Sequence, residues 1–140
     1  MISVVLAGGR GVRLWPESTD SRPKQLCDFF GQGSLLAMTL RRLKPLGPAM
    51  VVCGQDQETL IRKDISNIDV EILSEPEGRN TAPAVGLVLS QQSIDINEVI
   101  GIFPADHYIK DDIEFRRVVK KAEELAQKGF LVTIGIKPAR

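Results

Sequence analysis

The sequence lacks the features that identify several classes of protein. Its 140 residues contain one histidine, and eighteen basic residues balance eighteen acidic ones. Because the formal net charge is zero, no overall field attracts nucleic acid or an anionic membrane, and we expect neither as a partner. No apolar run approaches the ~20 residues of a membrane-spanning helix. The start, Met1-Ile2-Ser3, has no charged leader or cleavage site, and so gives no sign of secretion.

Cysteine is also scarce, which argues against a disulfide framework or a cysteine metal site. Cys27 and Cys53 are far apart in sequence, lack metal-ligand spacing, and each adjoin apolar residues. We interpret both as reduced thiols and predict a cytoplasmic protein. The contents of 5% aromatic and 43% hydrophobic residues are ordinary for an α/β protein, and 140 residues suit one domain with a real core.

Two familiar phosphate-binding fingerprints are missing as well. Gly9 and Gly11 are followed by Leu14 at the position where the dinucleotide fingerprint requires a third glycine. A P-loop ends in Gly-Lys-Ser or Gly-Lys-Thr, and neither tripeptide occurs in the chain. The glycines near the amino terminus therefore belong to another kind of loop.

That loop nevertheless has the composition of a polyphosphate site. It follows an apolar run, residues 4–7, and has three glycines within residues 8–11, so its backbone N–H groups can approach an anion closely. Arg10, Arg13 and Lys24 supply cations within about a dozen residues, and guanidinium and ammonium groups suit phosphates. The amino terminus is therefore predicted to bind a nucleotide.

The rest of the chain alternates between strand-like and helix-like segments. Apolar, β-branched runs predict five strands: Ser3–Ala7, Ala49–Cys53, Val70–Leu73, Val99–Phe103 and Phe130–Ile136. Helices are predicted after an N-cap at Ser34, over residues 56–66, from a cap at Thr81 to about Gln92, and from a cap at Asp111 to Gly129. This alternation predicts an α/β fold, Rossmann-like, with three α/β/α layers and a mostly parallel sheet. The loops after strands one, three and four then lie at one edge of the sheet, where such folds bind ligands.

Three segments in these loops resemble the signature of sugar-phosphate nucleotidyltransferases. They are Gly8-Gly9-x-Gly11-x-Arg13-Leu14-Trp15-Pro16-x-Ser18 with Pro23-Lys24-Gln25, Glu75-Pro76-x-x-Arg79-Asn80-Thr81-Ala82-Pro83-Ala84, and Pro104-Ala105-Asp106-His107. Trp15 and Gln25 favour the mannose-1-phosphate guanylyltransferase branch. The chain departs from the family at Val12, where threonine is usual, so a hydroxyl contact to phosphate is missing there.

The resemblance implies a fold, an activity and substrates. The fold is that of the nucleotide-diphospho-sugar transferases, and the activity transfers GMP from GTP to mannose 1-phosphate with Mg²⁺, releasing pyrophosphate. In the family the sugar site and a second metal-binding aspartate lie beyond Arg140. Residues 1–140 are therefore expected to be the amino-terminal, nucleotide-binding part of a truncated domain, inactive alone, and assembly into a homo-oligomer stays open. Two alternatives remain: a noncatalytic paralogue that senses a sugar nucleotide, and a relative that uses another base or sugar 1-phosphate.

The same resemblance assigns roles to individual residues. Arg13 is expected to neutralise the leaving pyrophosphate and Lys24 to meet the α-phosphate or the sugar phosphate. Asp106 provides a carboxylate after a strand and facing the phosphate loop, and it is expected to hold Mg²⁺. Arg13, Lys24 and Asp106 are the expected catalytic residues. Nucleotide contacts are expected from Leu6, Ala7, Gly8, Gly9, Gly11, Arg13, Glu75, Arg79, Asn80 and Thr81. The polar cluster from Glu75 to Thr81 could read guanine, or Glu75 and Arg79 could pair to brace the loop.

Overall fold

The computed structural model of the chain describes residues 1–9, 14–19, 21–77, 80–91 and 94–136. Strands and helices alternate along it, and two 3-10 helices, Lys24–Leu26 and Lys44–Leu46, lie in the connections between them. The strands are β1 (Ile2–Leu6), β2 (Ala49–Gly54), β3 (Glu71–Glu75) and β4 (Ile100–Pro104). The helices are α1 (Leu35–Leu43), α2 (Glu58–Asp64), α3 (Thr81–Leu89) and α4 (Asp112–Ala126).

Within the described residues the strands form one parallel sheet in the order β3-β2-β1-β4. Val5 of β1 lies between Val51 of β2 and Phe103 of β4, so β1 is paired on both sides. The chain moves outward from β1 to β3 and then returns to place β4 on the other side of β1. The strand order therefore reverses between β1 and β4, and ligands of open parallel sheets bind at such a switch point.

Helices cover both faces of this sheet, which confirms the predicted three layers. On one face, side chains of α1, α2 and α4, such as Leu36, Ile61 and Val119, pack against Val5. On the other face, Ala84 and Val88 of α3 pack with Val4, Met50 and Val52. Since both faces are covered, successive residues of a central strand are buried, as expected for parallel sheets, and Val4 and Val5 are fully inaccessible.

The predicted helix caps are correct at two of three positions. The Ser34 hydroxyl accepts a hydrogen bond from the Ala37 amide, and the Asp111 carboxylate accepts from the Ile113 and Glu114 amides. The cap predicted at Thr81 is wrong, because Thr81 is already the first residue of α3 and the residue before it occupies the cap position.

The fifth predicted strand, Phe130–Ile136, is also wrong. The structure describes this segment, but none of the described strands pairs with it. Composition predicted a strand because β-branched and aromatic side chains fit a pleated surface, yet a strand also requires a neighbouring edge for its backbone hydrogen bonds. Without one, Leu131 is 99% exposed and Ile136 is 75% exposed.

The two cysteines are buried free thiols, as predicted. Burial raises the pKa of Cys53 to about 11, so this thiol stays protonated and unreactive at neutral pH. Across the described ranges, no helix combines the length and the apolar character that crossing a bilayer requires.

Candidate functional site

A cavity lies at the switch point, between the carboxyl ends of β1 and β4. It is lined by Leu6, Ala7, Gly9, Lys24, Gln25, Ala105 and Asp106. These residues come from three separate parts of the sequence that were singled out by their composition. The parallel topology brings them together, because the loops after β1 and β4 leave the sheet at the same edge.

Lys24 and Asp106 meet at this cavity. Lys24 opens the 3-10 helix Lys24–Leu26, Asp106 follows β4 by two residues, and the Lys24 ammonium donates to Asp106 Oδ2 at 2.9 Å. The two side chains are 31% and 37% exposed. An ion pair of this exposure contributes at most ~1 kcal/mol to stability, so either group can exchange its partner for a ligand at little cost.

Backbone hydrogen bonds fix the start of the glycine-rich loop. The Ala7 amide donates to the Val52 carbonyl at 2.7 Å, and the Ala105 amide donates to the Leu6 carbonyl at 3.1 Å. At Gly9 an added Cβ would meet no described atom, and at Gly8 it would make only ordinary contacts, the nearest at 3.8 Å. Crowding by described residues therefore does not require glycine here, whereas the close approach of a ligand to the backbone would.

Glu75 also lies near the start of this loop, although it belongs to β3, the edge strand on the other side of β2. It is the last residue of β3, and its side chain is 8% exposed. Its Oε2 atom lies 3.8 Å from the position that a Cβ on Gly8 would occupy. The structure therefore places this carboxylate beside the predicted nucleotide loop. Arg79, its predicted partner in the alternative interpretation, lies outside the described residues.

Asn80 holds an unusual backbone conformation at the start of α3. Its φ and ψ angles are 72° and −173°, and its side chain makes no capping hydrogen bond to a described residue of the helix. This region of φ/ψ space is populated almost only by glycine and costs other residues on the order of 1–3 kcal/mol. Asn80 and Thr81 are both exposed.

Replacing Asn80 with glycine is therefore expected to stabilise the fold. Relief of the backbone strain should exceed the entropic cost of glycine and raise the free energy of unfolding by about 1 kcal/mol. Asn80→Ala, which keeps a Cβ and loses the tolerance of asparagine for positive φ, should lower it by a similar amount. Urea denaturation of both variants measures the difference, and equal stability of all three proteins would show that the backbone is not strained.

Several predicted site residues lie outside the described part of the chain: Arg10, Gly11, Val12, Arg13 and Arg79. Conversely, the structure reveals contacts that the sequence did not indicate. Phe30 and Tyr108 stack with ring centroids 4.3 Å apart and so join the segments that follow Lys24 and Asp106. Gln57, 5% exposed, bonds to Gln25. No pattern marked Gln57, because residues 54–57 have the composition of an ordinary polar turn.

Comparison with known proteins places this arrangement in a family. Residues 2–140 match the Nucleotidyl transferase family, and the chain belongs to it. A mannose-1-phosphate guanylyltransferase from Salmonella muenchen is 38% identical over all of this chain and 31% of its own length. The mannose-1-phosphate guanylyltransferase RfbM of Salmonella typhimurium is 39% identical over 98% of this chain and 30% of its own length. The chain thus spans about a third of these curated relatives.

A solved structure agrees with the sequence relatives. A Thermus thermophilus protein, described as a mannose-1-phosphate geranyltransferase, superimposes with a TM-score of 0.79 at 38% identity. The match covers 91% of this chain and 38% of that one. The predicted family and fold class are therefore confirmed.

Proposed function

We propose that the protein containing this chain transfers GMP from GTP to mannose 1-phosphate, forming GDP-mannose and pyrophosphate. The observation that carries the proposal is the Lys24–Asp106 pair, set at the switch point against a glycine-rich loop. The names of relatives at 38% and 39% identity support the choice of guanine and mannose. A module that only senses a nucleotide needs no carboxylate placed for a metal.

The residues at this cavity suit Mg²⁺. This ion keeps several waters and takes one or two protein carboxylates together with substrate phosphates. Asp106 offers one such carboxylate at the cavity. Bound by Asp106, Mg²⁺ would supply charge neutralisation at phosphoryl oxygens.

The chemistry is a single in-line displacement. An oxygen of the sugar phosphate forms a bond to the α-phosphorus of GTP, the bond from that phosphorus to the bridging oxygen breaks, and pyrophosphate leaves with the electron pair. No covalent enzyme intermediate is needed, so this chain acts by positioning and by stabilising charge. Lys24 neutralises phosphate oxygens at the cavity, and the amides of Gly8 and Gly9 donate to the nucleotide. Arg13 neutralises the negative charge of the leaving pyrophosphate.

Glu75 is the proposed reader of the base. Guanine presents N1–H and N2–H₂ donors, which a carboxylate accepts, whereas the corresponding edge of adenine presents an acceptor at N1. The carboxylate lies beside Gly8, and its burial strengthens a hydrogen bond formed there. Asn80 and Thr81 complete this side of the proposed nucleotide site.

Pyrophosphate release across a panel of nucleotides and sugar phosphates tests the proposal. GTP with mannose 1-phosphate should give the highest kcat/KM, with ATP, UTP and dTTP as competing nucleotides and glucose and N-acetylglucosamine 1-phosphates as competing acceptors. A clear preference for another nucleotide and sugar phosphate would show that the proposed substrates are wrong and that the reaction class is right. Nucleotide binding without turnover by any pair would favour the sensing paralogue.

Residues 1–140 alone should form no GDP-mannose, and synthesis by these residues alone would contradict the expected location of the acceptor site.

A further inference from the structure

Two buried glutamines form a hydrogen-bonded chain that ends on Ala7, the residue before the glycine-rich loop. Gln25 is 3% exposed and Gln57 is 5% exposed. The Gln25 side-chain amide donates one hydrogen bond to the Ala7 carbonyl at 2.6 Å and the other to Gln57 Oε1 at 2.9 Å. We call Gln57, Gln25 and the Ala7 carbonyl the glutamine relay. Both N–H donors of the Gln25 amide are used within it.

The relay has only one consistent orientation. A backbone carbonyl accepts and cannot donate, so the Gln25 atom that faces Ala7 must be its amide nitrogen. The second N–H of that nitrogen then requires an acceptor, and Gln57 must present its oxygen. The residue at position 57 therefore decides whether both N–H groups of the Gln25 amide are satisfied, and so how firmly this side chain is held in its orientation toward Ala7.

Each end of the relay is attached to a rigid element. The Gln57 amide donates to the Gly54 carbonyl at 2.9 Å, and its carbonyl accepts from Ile61 at 3.0 Å, so the residue is fixed between β2 and α2. At the other end, Ala7 is the residue through which β1 enters the glycine-rich loop. Gln25, in the middle, adjoins Lys24 in the same 3-10 helix and lines the same cavity.

We propose that Gln57 is a positioning residue for the phosphate site. Through Gln25 it fixes the direction of the Ala7 carbonyl, and with it the plane of the peptide that supplies the Gly8 amide. Through the same side chain it fixes the short helix that presents Lys24. The effect on the site's chemistry rests on the proposed function, whereas the effect on the loop does not.

Hydrogen exchange and GTP binding in the protein that contains this chain test the inference. Gln57→Leu removes the acceptor at similar size, and Gln57→Glu keeps an acceptor oxygen at the same position. In Gln57→Leu, exchange of the Ala7 amide, which donates to the Val52 carbonyl, should rise about tenfold and KM for GTP about tenfold, the effect of one lost buried hydrogen bond, with kcat changing less. Gln57→Glu, which keeps the acceptor, should stay within about twofold of the natural protein in the exchange of the Ala7 amide.

A control separates positioning from general loss of stability. Asp111→Ala removes the cap of α4, a helix that carries no residue of the relay, and should lower the melting temperature while leaving the exchange of the Ala7 amide unchanged. If Gln57→Leu does not fold, Gln57→Asn serves instead, because its shorter side chain withdraws the oxygen from Gln25.

The outcomes for the inference and for the proposed function are distinct. Unchanged exchange at the Ala7 amide in the variants that lack the acceptor overturns the relay, whatever happens to GTP. Equal effects of Gln57→Glu and Gln57→Leu on exchange also overturn it, because the acceptor would then be irrelevant. Altered exchange in a protein whose natural form does not bind GTP supports the relay and refutes the proposed function.

Discussion

Replacing Asp106 with asparagine is expected to lower kcat about a hundredfold, because a preorganised electrostatic contact is worth ~3 kcal/mol in the transition state. The neutral amide is a poor ligand for Mg²⁺, yet its oxygen can still accept the hydrogen bond from Lys24, so the fold should be unaffected. Affinity for GTP in the absence of Mg²⁺ should change little. Pyrophosphate release as a function of Mg²⁺ concentration, with calorimetry for metal-free binding, measures both quantities.

Asp111→Asn is the matched control for this experiment. It makes the same chemical change five residues further along, at the cap of α4, where asparagine caps a helix as well as aspartate does. Its turnover should equal that of the natural protein. Near-normal turnover of Asp106→Asn would remove Asp106 from the metal site.

The second large effect is expected at Lys24. Lys24→Met should lower kcat/KM about a hundredfold, because the alkyl chain is kept but the cation opposite the phosphates is lost. Affinity for guanosine, which has no phosphate, should be unchanged. Stability should fall by no more than ~1 kcal/mol, because the Asp106 carboxylate left behind is exposed enough to be hydrated. Steady-state kinetics, guanosine binding and urea denaturation measure these three quantities.

Two further variants test whether the loss of activity is specific to the ammonium group of Lys24. Lys110→Met removes an exposed lysine of the segment between β4 and α4 and should leave the kinetics unchanged. Lys24→Arg should restore only part of the activity, because a planar guanidinium does not replace a compact ammonium at a close phosphate contact. If kcat/KM of Lys24→Met matched that of the natural protein, Lys24 would have no role at the phosphates.

The sequence was sufficient to predict four strands, four helices and the edge of the sheet at which the cavity lies. Lys24 and Asp106 are 82 positions apart, yet their contact follows from strand alternation, since every right-handed crossover returns the chain to the same edge. Strands β1, β2 and β4 lie within one residue of their predicted bounds, and β3 lies within two. Buried parallel strands are easy to predict from sequence because nearly every residue in them is apolar.

The errors concern features that the composition of a segment does not determine. Residues 130–136 have the composition of a strand, but hydrogen bonding to a neighbour is not encoded in that segment. Thr81 is a good capping residue, but the conformation of Asn80 sets the start of α3 one residue earlier. Gln57 is buried and hydrogen-bonded to Gln25, whereas polar residues of a turn are usually exposed.

The position of the cavity between β1 and β4 has a consequence for the order in which the molecule is made. Ile2 pairs with Ile100, so the two strands that flank the cavity are separated by most of the length of the chain. Closing so long a loop costs conformational entropy before any contact repays it, and such high contact order slows folding. On the ribosome, β1, β2 and β3 emerge well before β4 does. The nascent chain therefore carries its glycine-rich loop without the opposite wall until Ile100–Pro104 has emerged.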